Sequence, residues 1–228
     1  MNIRKIAAVL AASLTICAVC ASCGDKKSKK SSNYTKKESS AEATVGNSGE
    51  ETAVEASSGQ AYLEIRDASG NNQYLGRVGE NLCYNAVNAD ITGNGSYTVS
   101  VTADSDGFRT DAGGSPENYS VKPSGLLYAA IKVKDGADTC PNAVLTIDSI
   151  EVDGRTIPMN SKNFTFIENK ADLKVNIYNE WASKIPDGSV SAEGAVPDGT
   201  PGYSSVIVSK EDFESWTLVK VNFTVSGM

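Results

Sequence analysis

The segment SYTVSVT, Ser96 to Thr102, alternates Tyr97, Val99 and Val101 with Ser96, Thr98, Ser100 and Thr102. Successive side chains of a strand point to opposite faces, so a period of two predicts a half-buried β-strand. LKVNIYN repeats the pattern with Leu173, Val175 and Ile177, and LVKVNFTV repeats it with Val219, Val221, Phe223 and Val225. LLYAAIKV, from Leu126, is a continuous apolar run that fits a strand buried on both faces. In VLTIDSIEV the apolar phase changes between Ile147 and Ile150, which predicts a bulge or a strand bending between sheets.

Turn signals separate these runs. Gly93-Asn94-Gly95 and Asp153-Gly154 offer the φ > 0 positions that tight turns demand, and Asp106-Gly107, Asp135-Gly136, Asp187-Gly188 and Asp198-Gly199 mark further turns. Helix signals are scarce. SKEDFESW sets Ser209 three residues before Asp212, the pattern of a capped single turn. Many short strands between Gly/Asp turns predict an all-β fold, an antiparallel β-sandwich, over residues 60–228. A domain of that length buries roughly 70% of its extended-chain surface and needs no disulfide to fold.

Ahead of this module the chain reads differently. Arg4 and Lys5 precede an uncharged, largely apolar run from Ile6 to Ala21, which is the layout of a secretory leader. That run falls short of the roughly 20 residues a spanning helix needs. It ends in CAVCASC, whose three thiols at a spacing of three suggest a metal cluster. Such clusters normally take four ligands, no fourth cysteine follows nearby, and the chain has no histidine. The segment resembles instead the bacterial lipoprotein signal, in which small residues precede a cysteine that is diacylated and becomes the mature N-terminus. Cys23 follows Ala21 and Ser22, whereas Cys20 and Cys17 follow the bulky Val19 and Ile16. The resemblance implies that residues 1–22 are removed and that Cys23 carries the lipid. It departs from the usual pattern at Cys20, where Leu is customary.

Residues 23–59 are rich in Ser, Lys, Glu, Thr, Ala and Gly, with Tyr34 as their only aromatic. Such a composition buries too little apolar surface to offset the entropy of ordering, so a disordered tether is expected. Of the 21 basic and 28 acidic residues, the leader takes two bases and the tether six of each sign. The module keeps 13 basic and 22 acidic residues, a balance that disfavours nucleic acid. Lys26, Lys27, Lys29 and Lys30 follow the lipid site and suit an anionic membrane surface, or a solvated tether without lipid contact.

Within the module, Cys83 and Cys140 are the only thiols. They form one disulfide or pack separately as small apolar side chains, and the sequence leaves both open. Asp104, Asp106 and Asp111 surround Gly107 and suggest Ca²⁺, but Thr102 stands where the calcium loop needs an acid, so no metal or other cofactor is expected. Without histidine no Ser–His or Cys–His pair exists, and among 22 acids no pair of carboxylates stands out, so the module is expected to bind rather than catalyse. Tyr74, Trp181 and Tyr203 lie in turn-rich stretches, where rings stack on the C–H faces of sugars. A large aromatic after a strand usually folds back onto the core, and that is the placement expected for Trp181. Trp216 opens the final strand and is expected at the core or its rim.

Taken together, DITGNGSYTVSV, GLLYAAIKVKDGADTCPNAVLTIDSIEVDG, DLKVNIYNEWASKIPD and VKVNFTVSG resemble β-sandwich modules of extracellular proteins from gut and rumen Firmicutes. Those modules are similar to jelly-roll carbohydrate-binding modules. The resemblance implies a jelly-roll-like sandwich on a membrane-anchored, extracytoplasmic lipoprotein, with the membrane and extracellular polysaccharide as partners. Relatives often carry tryptophans just after the first strand, where this chain reads RDASGNNQYLGRVG with Tyr74 alone. That loss keeps a second expectation alive, a structural or protein-interaction lipoprotein of the cell envelope.

Overall fold

The computed structural model describes residues 54–68, 81–83, 86–102, 109–112, 116–118 and 123–228, with the backbone path alone for 81–83, 109–112 and 116–118. The chain divides into two units, Met1–Gly46 and Asn47–Met228, and every described residue belongs to the second. Cys23, Tyr74, Asp104, Asp106 and the side chains of Cys83 and Asp111 lie outside the described residues.

In chain order the strands begin with β1 (Gln60–Arg66), β2 (Asn81–Cys83), β3 (Ala86–Val87), β4 (Ala89–Asp90) and β5 (Gly95–Thr102). Then come β6 (Arg109–Ala112), β7 (Pro116–Asn118), β8 (Tyr128–Val133), the short helix α1 (Gly136–Thr139) and β9 (Val144–Val152). The rest are β10 (Arg155–Thr156), β11 (Thr165–Glu168), β12 (Asp172–Asn179), β13 (Val190–Ser191), β14 (Gly194–Ala195), a 3-10 turn at Lys210–Phe213, and β15 (Leu218–Ser226).

These strands build an antiparallel β-sandwich. One sheet has the order β14-β13-β11-β12-β8-β1-β4, the other β10-β9-β15-β5-β3, and β2-β6-β7 form a small third sheet. Leu63, Ile65, Ile131, Val133 and Val175 of the first sheet share one core with Val99, Val101, Ile150, Val221 and Phe223 of the second. Each such side chain contributes about 1.5–3 kcal/mol on burial. The alternating strand β15 is buried at every second residue, while β8 is buried throughout, as its unbroken apolar run requires.

Two bulges interrupt the register. Opposite β15, β9 pairs Ser149 with Asn222 and Ile147 with Phe223, so Asp148 is the extra residue between Ile147 and Ser149. Opposite β8, β12 pairs Asn176 with Ala130 and Tyr178 with Ala129, leaving Ile177 unpaired in the ladder. The freed carbonyl of Ile177 accepts the N–H of Ile207 at 2.9 Å. That bond fastens the 205–208 segment to the sheet.

The hairpin between β9 and β10 turns through Asp153 (φ 50°) and Gly154 (φ 78°), the left-handed pair its two-residue loop demands. Gly93 and Gly95 do not adopt φ > 0. Side chains hold that turn instead: the Tyr97 hydroxyl donates to the Gly93 carbonyl at 2.8 Å and accepts the Thr92 N–H at 3.2 Å. The capping box expected at Ser209 is also absent, because the Ser209 hydroxyl donates to the Glu211 carboxylate rather than accepting a backbone N–H. Packed backbone extends upstream of Gln60. Ala56 is buried, and Gly59 donates to Lys134 at 2.8 Å while its carbonyl accepts from Ile91 at 3.2 Å. Among the described residues no helix is long and apolar enough to cross a membrane.

Candidate functional site

Past β10 the chain runs through two irregular segments, 160–162 and 202–207, that pair with each other. Asn160 donates to Ile207 at 2.7 Å, Lys162 donates to Gly202 at 2.8 Å, and Ser204 donates back to Lys162 at 3.2 Å. The Ile177 bulge holds one end of the second segment through Ile207, and Lys162 holds the backbone on both sides of Tyr203. A satellite core of Phe164, Ile185 and Val196 lies beneath, with Phe166 and Tyr203 packed against it.

Tyr203 is fixed at its far end as well. Its hydroxyl lies 3.0 Å from the Ser191 hydroxyl and 3.0 Å from the Glu193 carboxylate, and Lys162 Nζ sits over the ring at 5.7 Å. Lys162 and Glu193 form an ion pair at 2.6 Å. Hydrogen bonds from Lys162 and then Tyr203 hold the Glu193 carboxyl below the usual range, and Glu193 raises Lys162 in return. Both partners are solvent-exposed, so this pair orients the ring more than it stabilises the fold.

Open clefts flank Tyr203. One, of about 560 Å³, is lined by Met159, Asn160, Lys162, Ser191 and Glu193. The other, of about 360 Å³, is lined by Ser183, Lys184, Asp198 and Thr200. Both include Gly202 and Tyr203 in their walls. The second cleft runs to Ala182, the neighbour of Trp181.

Trp181 is not folded back onto the core. It is 53% exposed, with the Arg66 guanidinium 5.4 Å from the centre of its ring. A local turn explains the difference. Asn179 accepts the Trp181 N–H through its side chain at 3.1 Å and the Ala182 N–H through its carbonyl at 3.2 Å, turning the chain outward as β12 ends. Trp216 occupies the core in its place, 1% exposed, donating to the Gly125 carbonyl at 3.4 Å. The loops that follow Trp181 and carry Tyr203 thus meet in the walls of the second cleft, while Trp216 is buried. Cys140 is a buried free thiol 3.8 Å from the Thr139 hydroxyl. Among the described residues no group of three or more His, Cys, Asp or Glu side chains is placed to hold a metal ion.

Sequence reasoning missed a second polar feature. Glu64 of β1, Lys132 of β8 and Lys174 of β12 are buried on the seven-stranded sheet, on the face turned away from Leu63, Ile131 and Val175. Lys132 bridges Glu64 at 2.6 Å and Glu168 at 2.7 Å, and Lys174 bridges Glu168 at 2.5 Å beneath the rings of Tyr128 and Phe166. Burial pushes the Glu168 carboxyl up, but bonds from Lys132 and Lys174 outweigh it and hold the group below the usual range. Burial wins at Lys174 and lowers it, whereas Glu64 and Glu168 keep Lys132 raised against its burial. The signal was a charge inside each apolar run, YLEI, AIKV and LKVN, in phase with the outer face.

No protein-family model, no curated protein and no solved structure matches this chain.

Proposed function

We propose that this chain is a surface lipoprotein, held outside the cytoplasmic membrane by a diacylglyceryl group on Cys23, whose β-sandwich binds carbohydrate without cleaving it. The observation that carries the binding reading is the pair of clefts that share Tyr203 in their walls, together with the exposed indole of Trp181, whose chain neighbour Ala182 lines the second. A sugar ring offers an apolar C–H face and a rim of hydroxyls. It therefore needs an accessible ring for the first and fixed polar groups for the second. Trp181 supplies an exposed ring and Tyr203 a ring edge in the walls of both clefts, while Asn160, Lys162, Glu193 and Asp198 supply donors and acceptors. The leader-like segment, the lipoprotein-like cysteine and the lysine-rich stretch after it support a location where extracellular glycans are met.

The test is retention of the full chain, in mild detergent, on a panel of plant, host and bacterial glycans. Retention that falls when Trp181 or Tyr203 is replaced by Ala supports the reading. Retention on none overturns it, and co-purification of a stoichiometric protein partner in place of any glycan would install the scaffold reading instead.

A further inference from the structure

We infer that β1 is a shear clamp, so that the module carries load between the membrane tether and a partner that is itself immobile. This rests on the anchored, ligand-binding reading above and adds the mechanical demand that an anchored binder meets. Three observations carry it.

The first is the direction of the load. The chain enters the sheet at Gln60, and β1 runs from there to Arg66. Across the sheet, Ala61 stands level with Val133 and Leu173, whereas Arg66 stands level with Tyr128 and Asn179. Trp181 follows Asn179 by two residues, and the Arg66 guanidinium lies 5.4 Å from the centre of its ring. The tether and the exposed indole thus lie at opposite ends of β1, about 20 Å apart at the rise of an extended strand. A ligand held at Trp181 and pulled against the tether loads β1 along its own axis.

The second is the way β1 is held. It lies inside its sheet between β8 and β4, and β8 in turn joins it to β12, the strand that leads to Trp181. Every residue from Ala61 to Arg66 has a partner on β8, and Gln60 and Ala61 have partners on β4. Antiparallel ladder bonds run perpendicular to the strands, so an axial load falls on all of them together. The inward side chains of Ala61, Leu63 and Ile65 are buried, and the outward Glu64 is bridged to Lys132 at 2.6 Å. A slip of one residue would turn each of these to the wrong face, so β1 cannot creep out register by register.

The third is the entry point. Gly59 donates to the Lys134 carbonyl at 2.8 Å, its own carbonyl accepts from Ile91 at 3.2 Å, and Lys134 donates to the Gln60 carbonyl at 3.0 Å. The Gln60 side chain adds a bond to Asp90 at 2.8 Å. These bonds fasten the entry to the end of β8 on one side and the end of β4 on the other. They share the load ahead of the ladder and resist fraying from Gln60.

The experiment stretches the full chain between two DNA handles in an optical trap, with Cys23→Ala to keep it free of lipid. One handle is always at the N-terminus. The second is placed either at the exposed Glu180, beside Trp181, or after Met228. Met228 lies at the entry end, because Gly227 stands against the Asn142 carbonyl just past α1, and α1 follows Lys134. Pulling at Glu180 shears β1, whereas pulling at Met228 acts across the strands and peels it. At one loading rate, the inference expects an unfolding force roughly twofold or more higher in the first geometry. Ile65→Val on β1 and Ile150→Val on β9 each remove one methylene from a fully buried side chain. Their equilibrium costs should be similar, yet only Ile65→Val should lower the shear force. Equal forces in the two geometries, or an equal loss of force in the two variants, would overturn the inference. Neither lipid nor glycan enters the measurement, so that outcome leaves the carbohydrate reading standing, to be decided by the glycan panel alone.

Discussion

Asn163 stands where a neighbouring strand would stand beside Leu145: its side-chain amide donates to the Leu145 carbonyl at 2.7 Å. Its oxygen accepts the Ile147 N–H at 3.0 Å, and the Thr165 hydroxyl accepts the Leu145 N–H at 2.9 Å. The outer edge of β9, unpaired by β10 over this stretch, is thus closed by side chains. An open strand edge is a template for pairing with another chain, and these two residues remove it.

Replacing Asn163 with Ala should leave the Leu145 carbonyl and the Ile147 N–H without their partner. The expected loss is about 1–3 kcal/mol, the cost of stranding partly buried backbone groups. Urea unfolding measures it, and light scattering should show concentration-dependent association absent from the parent chain. A stability change under about 0.5 kcal/mol, the range of an ordinary surface substitution, would contradict the role given to this side chain.

Glu168 holds two ammonium groups, so Glu168→Gln leaves Lys132 and Lys174 close together with one carboxylate fewer. Breaking a buried pair costs about 3–5 kcal/mol, and the partial exposure of Glu168 puts the expectation at the lower end, about 3 kcal/mol. The pH dependence has a definite sign. Because the folded carboxyl lies below its ordinary value of 4.5, its contribution is complete above that pH and is lost as pH falls through the folded value. The gap between the parent chain and Glu168→Gln should therefore be widest near neutrality and close on acidification. Thermal melts from pH 7 to pH 3 would show it, and a gap independent of pH would refute the assignment.

The two tryptophans should separate cleanly. Trp181→Ala is expected to change stability by no more than about 0.5 kcal/mol, as for an exposed site, whereas Trp216→Ala should cost about 3–5 kcal/mol. Iodide should quench Trp181 and spare Trp216, and a bound glycan should protect Trp181. Equal quenching of both in single-tryptophan variants would contradict the observed burial.

A β-carbon at Gly136 would lie 2.6 Å from the Leu173 side chain and 2.8 Å from its backbone nitrogen. Gly136→Ala must push α1 away from β12, at a cost of about 1–3 kcal/mol typical of overpacking. The change is readable as a lowered urea midpoint with an unaltered slope.

Cys23→Ala should release the chain from the membrane fraction, since two acyl chains anchor stably and their loss leaves only the tether lysines. Fractionation together with palmitate labelling checks this. Unchanged retention with no label on the parent chain would sink the lipid assignment.

The framework was legible because it rests on local patterns. Period-two runs at β5, β12 and β15, the unbroken run at β8, and the phase change between Ile147 and Ile150 each correspond to a strand or bulge. The Asp153-Gly154 turn needed no tertiary information, since its two-residue loop requires left-handed backbone at both positions. What escaped depended on side-chain partners that no backbone pattern specifies, some close in sequence and some distant. Gly93 and Gly95 resemble turn glycines, but that turn is held by the Tyr97 hydroxyl from the strand it opens and by Met228 from the chain's far end, the latter donating to the Asn94 side chain at 2.9 Å. Ser209 resembles a cap until Glu211 takes its hydroxyl. The buried lysines at 132 and 174 were invisible as a group, because their common acid lies on a third strand. At the candidate site, Tyr203 was legible as a loop ring, whereas Lys162 and Glu193 were not, being brought to it by chain crossings that leave no local pattern.

The placement of β15 bears on when the body can assemble. It lies at the middle of its sheet, between β9 and β5, although it is the last strand of the fold to be synthesised. Neither neighbour has its main partner until residues 218–226 are available, so that half of the structure closes after the rest of it has been made. For a chain exported as proposed, this delay keeps the polypeptide threadable through a narrow secretion channel. The central strand then joins β9 to β5 only once the chain has reached the far side.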